Sequence, residues 1–251
     1  MGRSQPDLRR TLGAAGRLWA APEHHQVADE WWIACSGQMN VNYNVAFCQS
    51  PDPAVLIDHC LQSVLDLGRP AIIMLAGAGL ASAQQLTEVG WVVVGALPLM
   101  ALTDRNDPGV SGPGVRGLSG QDLSSARELL VDTYGLDDAS ALAAVPDRVV
   151  ERDDMGAWGL FDGPTLASCF TGVVEDGLFV VWSMATRHQC QGLGYGHRLL
   201  GTVLGRKFGE GVSGSLLQSS VAGQKLYLDL GYEVVEYWQL WSRPRWVMAN
   251  A

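Results

Sequence analysis

Long apolar runs are missing from this sequence. The longest, 70–81 and 91–102, stop well short of the roughly 20 residues that a membrane-spanning helix needs, so no membrane partner is expected. Positive charge is also scarce: 17 Lys and Arg face 26 Asp and Glu, the formal net charge is -9, and both halves of the chain are acidic. A nucleic-acid binder displaces counterions from phosphates with a basic run or stripe, and none is present, which argues against a nucleic-acid partner. Five cysteines (Cys35, Cys48, Cys60, Cys169 and Cys190) include no close pair and no histidine at zinc-ligand spacing. Neither a disulfide framework nor a metal site is indicated, and the thiols read as small buried apolar side chains. The N-terminal stretch has no apolar segment followed by a small-residue cleavage site, so it does not read as a secretory leader. A cytoplasmic location is the resulting expectation.

What is present is core-forming: 47% of the 251 residues are hydrophobic and 17% charged, enough for one large domain or two smaller ones. Helical composition covers 5–20, and a more apolar region begins at Trp31. Residues 39–48 alternate Val41, Tyr43, Val45 and Phe47 with Asn and Ala, as in a strand with one buried face. Pro53 opens a helical pattern that Gly68 closes, followed by a strand at 71–75, a short helix to Gly90 and a strand at 91–97. This gives a βαβαβ order. The segment 103–120 concentrates Gly, Pro, Asp and Ser, which is linker chemistry, and it marks a boundary between domains at 1–110 and 111–251. Beyond it the pattern predicts helices at 121–133 and 139–150, a hairpin of 157–161 with 165–174, a strand Leu178–Thr186, a helix at 194–208, a strand at 214–217, a helix at 220–230 and a last strand from Tyr232.

The two halves echo each other. LTEVGWVVV at 86–94 falls on YLDLGYEVV at 227–235, an offset of 141 residues. Each is a helix end, a glycine, an aromatic and a strand, and the order of elements before them also matches. Two related domains in tandem are expected.

The chemistry is concentrated in TRHQCQGLGYGHRLL, 186–200. Gly192, Gly194 and Gly196 allow a ligand to approach the backbone, and the helix that follows points unpaired N–H groups outward, an arrangement suited to pyrophosphate. A P-loop is excluded because His197 and Arg198, rather than Lys and Ser or Thr, follow Gly196. A Rossmann fingerprint fails too, since the next strand ends at Leu217 and Gln218 without an acidic residue.

Gln191, Gly194 and Gly196 match the pattern Gln/Arg-x-x-Gly-x-Gly/Ala. About 20 residues on, Leu217, Ser220, Gly223, Leu226, Tyr227, Leu230, Gly231 and Tyr232 match L-x-x-S-x-x-G-x-x-L-Y-x-x-L-G-Y/F. On these residues the chain resembles the GNAT superfamily of acyl-CoA-dependent N-acyltransferases over about 115–241. The resemblance implies an α/β (α+β) fold: two tandem GNAT-like domains, each a mixed, mostly antiparallel sheet flanked by helices. It implies acetyl-CoA as cosubstrate, with its pyrophosphate on Gln191, Gly192, Leu193, Gly194, Tyr195 and Gly196. The pantetheine arm would pair with the edge of Met184, Ala185 and Thr186, and Ser220 and Gly223 would lie beside it. A Met184 amide would polarise the thioester carbonyl, and Tyr227 would protonate the departing thiolate. Ser220 also reads as an N-cap, and Tyr227 also reads as a ring packed beside Leu226 and Leu230.

No general base stands out among Glu175, Asp176, Glu236 and His188. The acceptor expected is a small-molecule primary amine. Acidic clusters at 137–138, 147–154 and 175–176, with Trp158 and Trp182 near in sequence, would suit a cationic one. In the first domain the matching loop FCQSPDPAV, 47–55, carries Pro51, Asp52 and Pro53 where phosphate would sit, so that copy reads as degenerate, kept for the fold, the substrate cleft or pairing in a homodimer. Two other classes stay open: a catalytically silent acyl-CoA-binding regulator, and an interaction protein built on its nine tryptophans.

Overall fold

Asp7 accepts hydrogen bonds from the Arg9 and Arg10 amides at 3.0 and 3.3 Å and thereby starts the first helix, α1 (Leu8–Ala15). The structure is a computed structural model that describes residues 7–103 and 112–248. Strands β1 (His25–Val27), β2 (Trp31–Cys35) and β3 (Asn44–Cys48) follow. The helical segment 53–67 contains α2 (Pro53–Val55), a π-helical stretch Leu56–Leu61 and α3 (Gln62–Leu67). Then come β4 (Ile72–Leu75), α4 (Ala83–Glu88) and the long strand β5 (Val92–Leu102). The chain continues as β6 (Val115–Gly117), α5 (Leu123–Tyr134), α6 (Asp138–Ala144), β7 (Met155–Asp162), β8 (Thr165–Glu175) and β9 (Leu178–Thr186). It finishes as α7 (Tyr195–Gly209), β10 (Gly214–Gln218), α8 (Gln224–Asp229), β11 (Glu233–Ser242) and α9 (Pro244–Met248).

Several expectations need local correction. Within 39–48 only β3 is extended. Asn40 accepts the Asn42 amide at 3.0 Å and sets a 3-10 turn at Val41–Tyr43. All five β3 residues are buried rather than alternating, because both faces are covered: Ala46 and Cys48 pack with Leu56, Cys60 and Val64, and Phe47 stacks on Trp32 and Trp238. Asn44 is tolerated there since its amide donates to the Gln38 and Pro70 carbonyls at 2.7 and 2.8 Å. The apolar Trp31–Cys35 run is a strand, antiparallel to β3. The helix expected at 139–150 breaks after Ala144, because Val145 precedes a proline and leaves the helical region, and Pro146 itself is extended.

The chain forms two compact units, Met1–Pro98 with Glu236–Ala251, and Leu99–Val235. This differs from a division at 110/111, and the linker residues 104–111 lie outside the described ones. In the first unit the strand order is β1-β2-β3-β4-β11, with β3 and β4 parallel and the other pairs antiparallel. Its core gathers Leu56, Cys60, Val64, Ile73, Leu75, Trp91 and Trp241. In the second unit the order is β5-β10-β9-β8-β7-β6, with β9 and β10 parallel and the rest antiparallel. Its core gathers Met100, Leu102, Phe170, Phe179, Leu200, Val203, Tyr227 and Tyr232.

The physical reason for the altered boundary is the pairing of the two strands that carry the sequence echo. From Leu99 onward β5 pairs with β10, Leu99 opposite Gln218 and Leu102 opposite Ser215. The strand beside β4 is β11, with Gln239 opposite Leu75 and Trp241 opposite Ile73. Hence β5 is not the neighbour of β4 that a simple βαβαβ unit would supply. Among the described residues no helix is long and apolar enough to cross a membrane.

Candidate acyl-donor cleft

β9 and β10 pair only at Leu178–Val180 with Gly214–Leu216. Further along β9 its register against β8 slips: Thr171 faces Trp182 while Cys169 faces Ala185. Phe170 therefore opposes two residues, Ser183 and Met184, which is a β-bulge. Ser183 adopts φ 52°, a left-handed conformation that costs a non-glycine residue about 1–2 kcal/mol. A bulge bends its strand and increases the local twist, so beyond it the β10-side edge of β9 is turned into a cleft. The Arg187 amide donates to the Ala167 carbonyl at 2.9 Å. By the alternation of an antiparallel ladder, Ala185 and Arg187 face β8, while Met184 and Thr186 turn their carbonyls to the cleft side.

The floor of the cleft is the loop before α7. Gly194 stands at φ 77° as the N-cap of that helix, a conformation that favours glycine. Gly196 is fixed by close approach: a Cβ there would come within 2.8 Å of Leu226 Cδ1 and 3.0 Å of Met184 Cε. The first amide bonded within the helix is that of Arg198, to the Gly194 carbonyl at 3.0 Å. The earlier amides, of Tyr195, Gly196 and His197, are the ones that helix geometry leaves for an external acceptor. With no acidic residue in the first turn, the positive end of the helix dipole is available to an anion.

The cleft encloses about 650 Å³. Two tyrosines converge on Met184 within it. Tyr227 is buried, and its hydroxyl lies 3.7 Å from Met184 Sδ, a weak acceptor that leaves the proton available. Burial, and after it the neighbouring Tyr134 hydroxyl, push the Tyr227 pKa well above the usual tyrosine range. Tyr134, at the end of α5, donates its hydroxyl to the Met184 carbonyl, and desolvation pushes its pKa up to about 12. The Tyr227 ring is also held edge-on against Tyr232 at 5.8 Å, while Tyr232 donates to Ser215 Oγ at 2.6 Å.

Of the residues singled out from sequence, Met184, Thr186, Gln191, Gly192, Gly194, Tyr195, Gly196, Ser220, Gly223 and Tyr227 all line this one cleft. Ala185 and Leu193 do not. Ala185 is buried on the β8 side, and Leu193 points outward, 65% exposed. Ser220 caps a turn, accepting the Gly223 amide at 3.2 Å, whereas α8 itself begins at Gln224. Thr133, Tyr134 and Cys190 join the lining unannounced. Tyr134 touches Met184 across 50 residues of chain, and no local pattern signals such a contact.

The candidate bases and the acidic clusters fare differently. Glu236 belongs to the first unit, where Arg9 Nε and Nη2 hold its carboxylate at 2.6 Å each. His188 leans on the Asp132 carbonyl at 3.2 Å. Asp137 caps α6 by accepting the Ser140 amide at 2.8 Å, Asp147 pairs with Arg127 and Asp154 with Arg152. Trp158 is stacked on Phe170 at 5.3 Å beside the core of the second unit. Those groups serve the fold, so they lend no support to a cationic acceptor. Among the described residues lining the cleft Asp229 is the single carboxylate, and Lys225 neutralises it at 2.7 Å.

The first unit offers no equivalent slot at the corresponding strands. β3 and β4 stay paired from Val45 opposite Ile72 to Cys48 opposite Leu75, and the Ala76 amide continues onto the Cys48 carbonyl. At the helix start that follows, Asp52 accepts the Ala54 amide at 2.9 Å, placing a carboxylate where a phosphate would go.

No family model matches the sequence, and no curated protein matches it. Solved structures do match. A GCN5-related N-acetyltransferase from Kribbella flavida superposes with TM-score 0.68 at 20% identity, covering 96% of this chain and 97% of its own. A GCN5-related N-acetyltransferase from Sphaerobacter thermophilus gives 0.62 at 15%, covering 89% and 78%. An acetyltransferase of the GNAT family from Colwellia psychrerythraea gives 0.54 at 14%, covering 85% and 80%. With its mixed sheets, bulged β9 and glycine loop at the head of α7, the chain has the fold of the GCN5-related N-acetyltransferases.

Proposed function

We propose that the protein is an N-acetyltransferase that moves an acetyl group from acetyl-CoA to the primary amine of a small molecule. The observation that carries this reading is the cleft itself: a strand edge opened by a bulge, a helix start with free amides and a buried tyrosine hydroxyl, all lining one cavity of about 650 Å³. The residues suit a coenzyme A thioester. Gly194 and Gly196 bring backbone N–H groups close enough to hold a pyrophosphate, and the Met184 and Thr186 edge matches the amides of an extended pantetheine arm. Gln191 Nε2 already donates to the Thr186 carbonyl at 3.0 Å, so the loop and the strand edge are held as one piece.

Bound there, the thioester supplies an activated acetyl carbon. The protein's part is to orient the carbonyl against the β9 backbone and to deliver a proton from Tyr227 Oη to the departing sulfur. Desolvation raises the proton affinity of a thiolate expelled into the same space, which matches it to a tyrosine of raised pKa. The weakly charged lining favours an amine that arrives uncharged, its proton having passed to solvent at the cleft mouth. Once bonded to the acetyl carbon the nitrogen sheds a further proton, and this loss balances the one that Tyr227 gives to sulfur and restores its phenol. Two related domains in one chain, the first lacking a donor site, are part of this reading.

The test is release of free thiol from acetyl-CoA across a panel of small primary amines. At least one amine is expected to accelerate release above the amine-free rate. If no amine does so while acetyl-CoA binds, the silent regulator becomes the better description.

A further inference from the structure

Tyr134 has no role in the motif-based reading, yet its hydroxyl contacts the acyl-donor strand directly. It is the last residue of α5, a helix anchored by buried Leu123, Ala126, Leu129 and Leu130, so its Cα is well fixed. The residue as a whole is 54% exposed and contributes little to the core, while its hydroxyl end is desolvated in the cleft. Its hydroxyl nevertheless reaches the Met184 carbonyl, the second residue of the bulge. Ser183, the first residue of that bulge, is held in a left-handed conformation that an isolated strand would relax toward regular pairing. The Tyr134 hydrogen bond on the adjacent carbonyl opposes that relaxation.

We propose that Tyr134 is a positioning residue: by clamping the Met184 carbonyl it holds the bulge open and aims the Met184 backbone at the reacting carbonyl. The inference rests on the acetyl-transfer reading above. Tyr134 does not donate the transferred proton, because its hydroxyl hydrogen is committed to a carbonyl. Tyr227, whose hydroxyl donates to a thioether at 3.7 Å, has the mobile one. The two tyrosines thus divide the work around Met184, one fixing its main chain and the other standing at its side chain with a proton. Thr133, the preceding residue, lines the same cleft with its Oγ1 buried and without a hydrogen-bond partner among the described residues, so the end of α5 presents polar groups to the cleft.

Full-length Tyr134→Phe keeps the ring and removes the clamp. With acetyl-CoA and whichever panel amine wild type acetylates fastest, kcat is expected to fall about tenfold, with KM for acetyl-CoA within about twofold of wild type and the shape of the pH profile unchanged. Without any substrate, amide hydrogen exchange in 181–187 is expected to quicken, at unchanged melting temperature. A wild-type kcat, a raised KM at unchanged kcat, or unaltered exchange in 181–187 overturns the inference and leaves acetyl transfer standing. Failure of wild type itself to acetylate any amine overturns the reading on which the inference rests.

Discussion

Tyr227→Phe is expected to lower kcat by about 10²–10⁴, the usual contribution of a positioned general acid, while leaving acetyl-CoA affinity and melting temperature close to wild type. The ring is buried against Tyr232 and phenylalanine fills the same space, so the variant removes little beyond one hydroxyl. That hydroxyl has Met184 Sδ as its contact at 3.7 Å, so no strong hydrogen bond is lost and stability should hardly move. The sign of the pH dependence follows from burial. Because the Tyr227 pKa is raised, the group stays protonated throughout the neutral and mildly alkaline range, and wild-type kcat should show no basic limb from it below about pH 10. A Tyr227→Phe variant with wild-type kcat would reduce this tyrosine to packing and favour a protein that binds the thioester without using it.

The second large effect concerns the fold. A chain ending at Val235 loses 236–251, a short terminal piece by length but the strand beside β4 by topology. It also loses Trp238, stacked on Phe47 at 4.2 Å, and Trp241, a member of the first unit's core. Deleting a buried tryptophan side chain alone costs about 3–5 kcal/mol, and two of them match the whole stability of an ordinary domain, about 5–15 kcal/mol. The first unit should therefore unfold in this truncated chain, although its own first 98 residues are intact. Limited proteolysis should remove 1–98 and leave a resistant fragment near 99–235, the residues that form the second unit. Equal resistance of both parts would contradict the assignment of β11 to the first unit.

The contrast between these two predictions shows what was legible in the sequence. The glycine loop, the Leu178–Thr186 strand, the helix after it and Tyr227 were readable because each is a local pattern: a turn, a period or a cap within a short window. The echo at 86–94 and 227–235 was readable for the same reason. The destinations of the strands that follow the echo were not, since hydrophobic alternation states that a strand is half-buried without naming its neighbour. Hence a βαβαβ order of elements leaves open which strand lies beside β4, a place that β11 holds. Tyr134 was invisible on the same grounds, because its contact with Met184 joins a helix end to a bulge that the β8 register creates. Conversely, the acidic clusters were open to two readings in sequence because charge alone cannot distinguish a cap or ion pair from a substrate anchor. Asp137 and Asp147 proved to be the former.

The two units also sharpen the meaning of an acidic chain that is to hold an anionic donor. With a net charge of -9, attraction cannot come from the global field and has to come from the local N–H groups at the head of α7. Those act at hydrogen-bond range, where salt screens little. The paired β3 and β4 and the carboxylate of Asp52 deny the first unit the same arrangement. The most direct test of the central claim is a calorimetric titration of the full-length protein with acetyl-CoA. Saturable binding of one molecule per chain, only modestly weakened by added salt, is the expected result; no binding, or two equivalent molecules per chain, would contradict it.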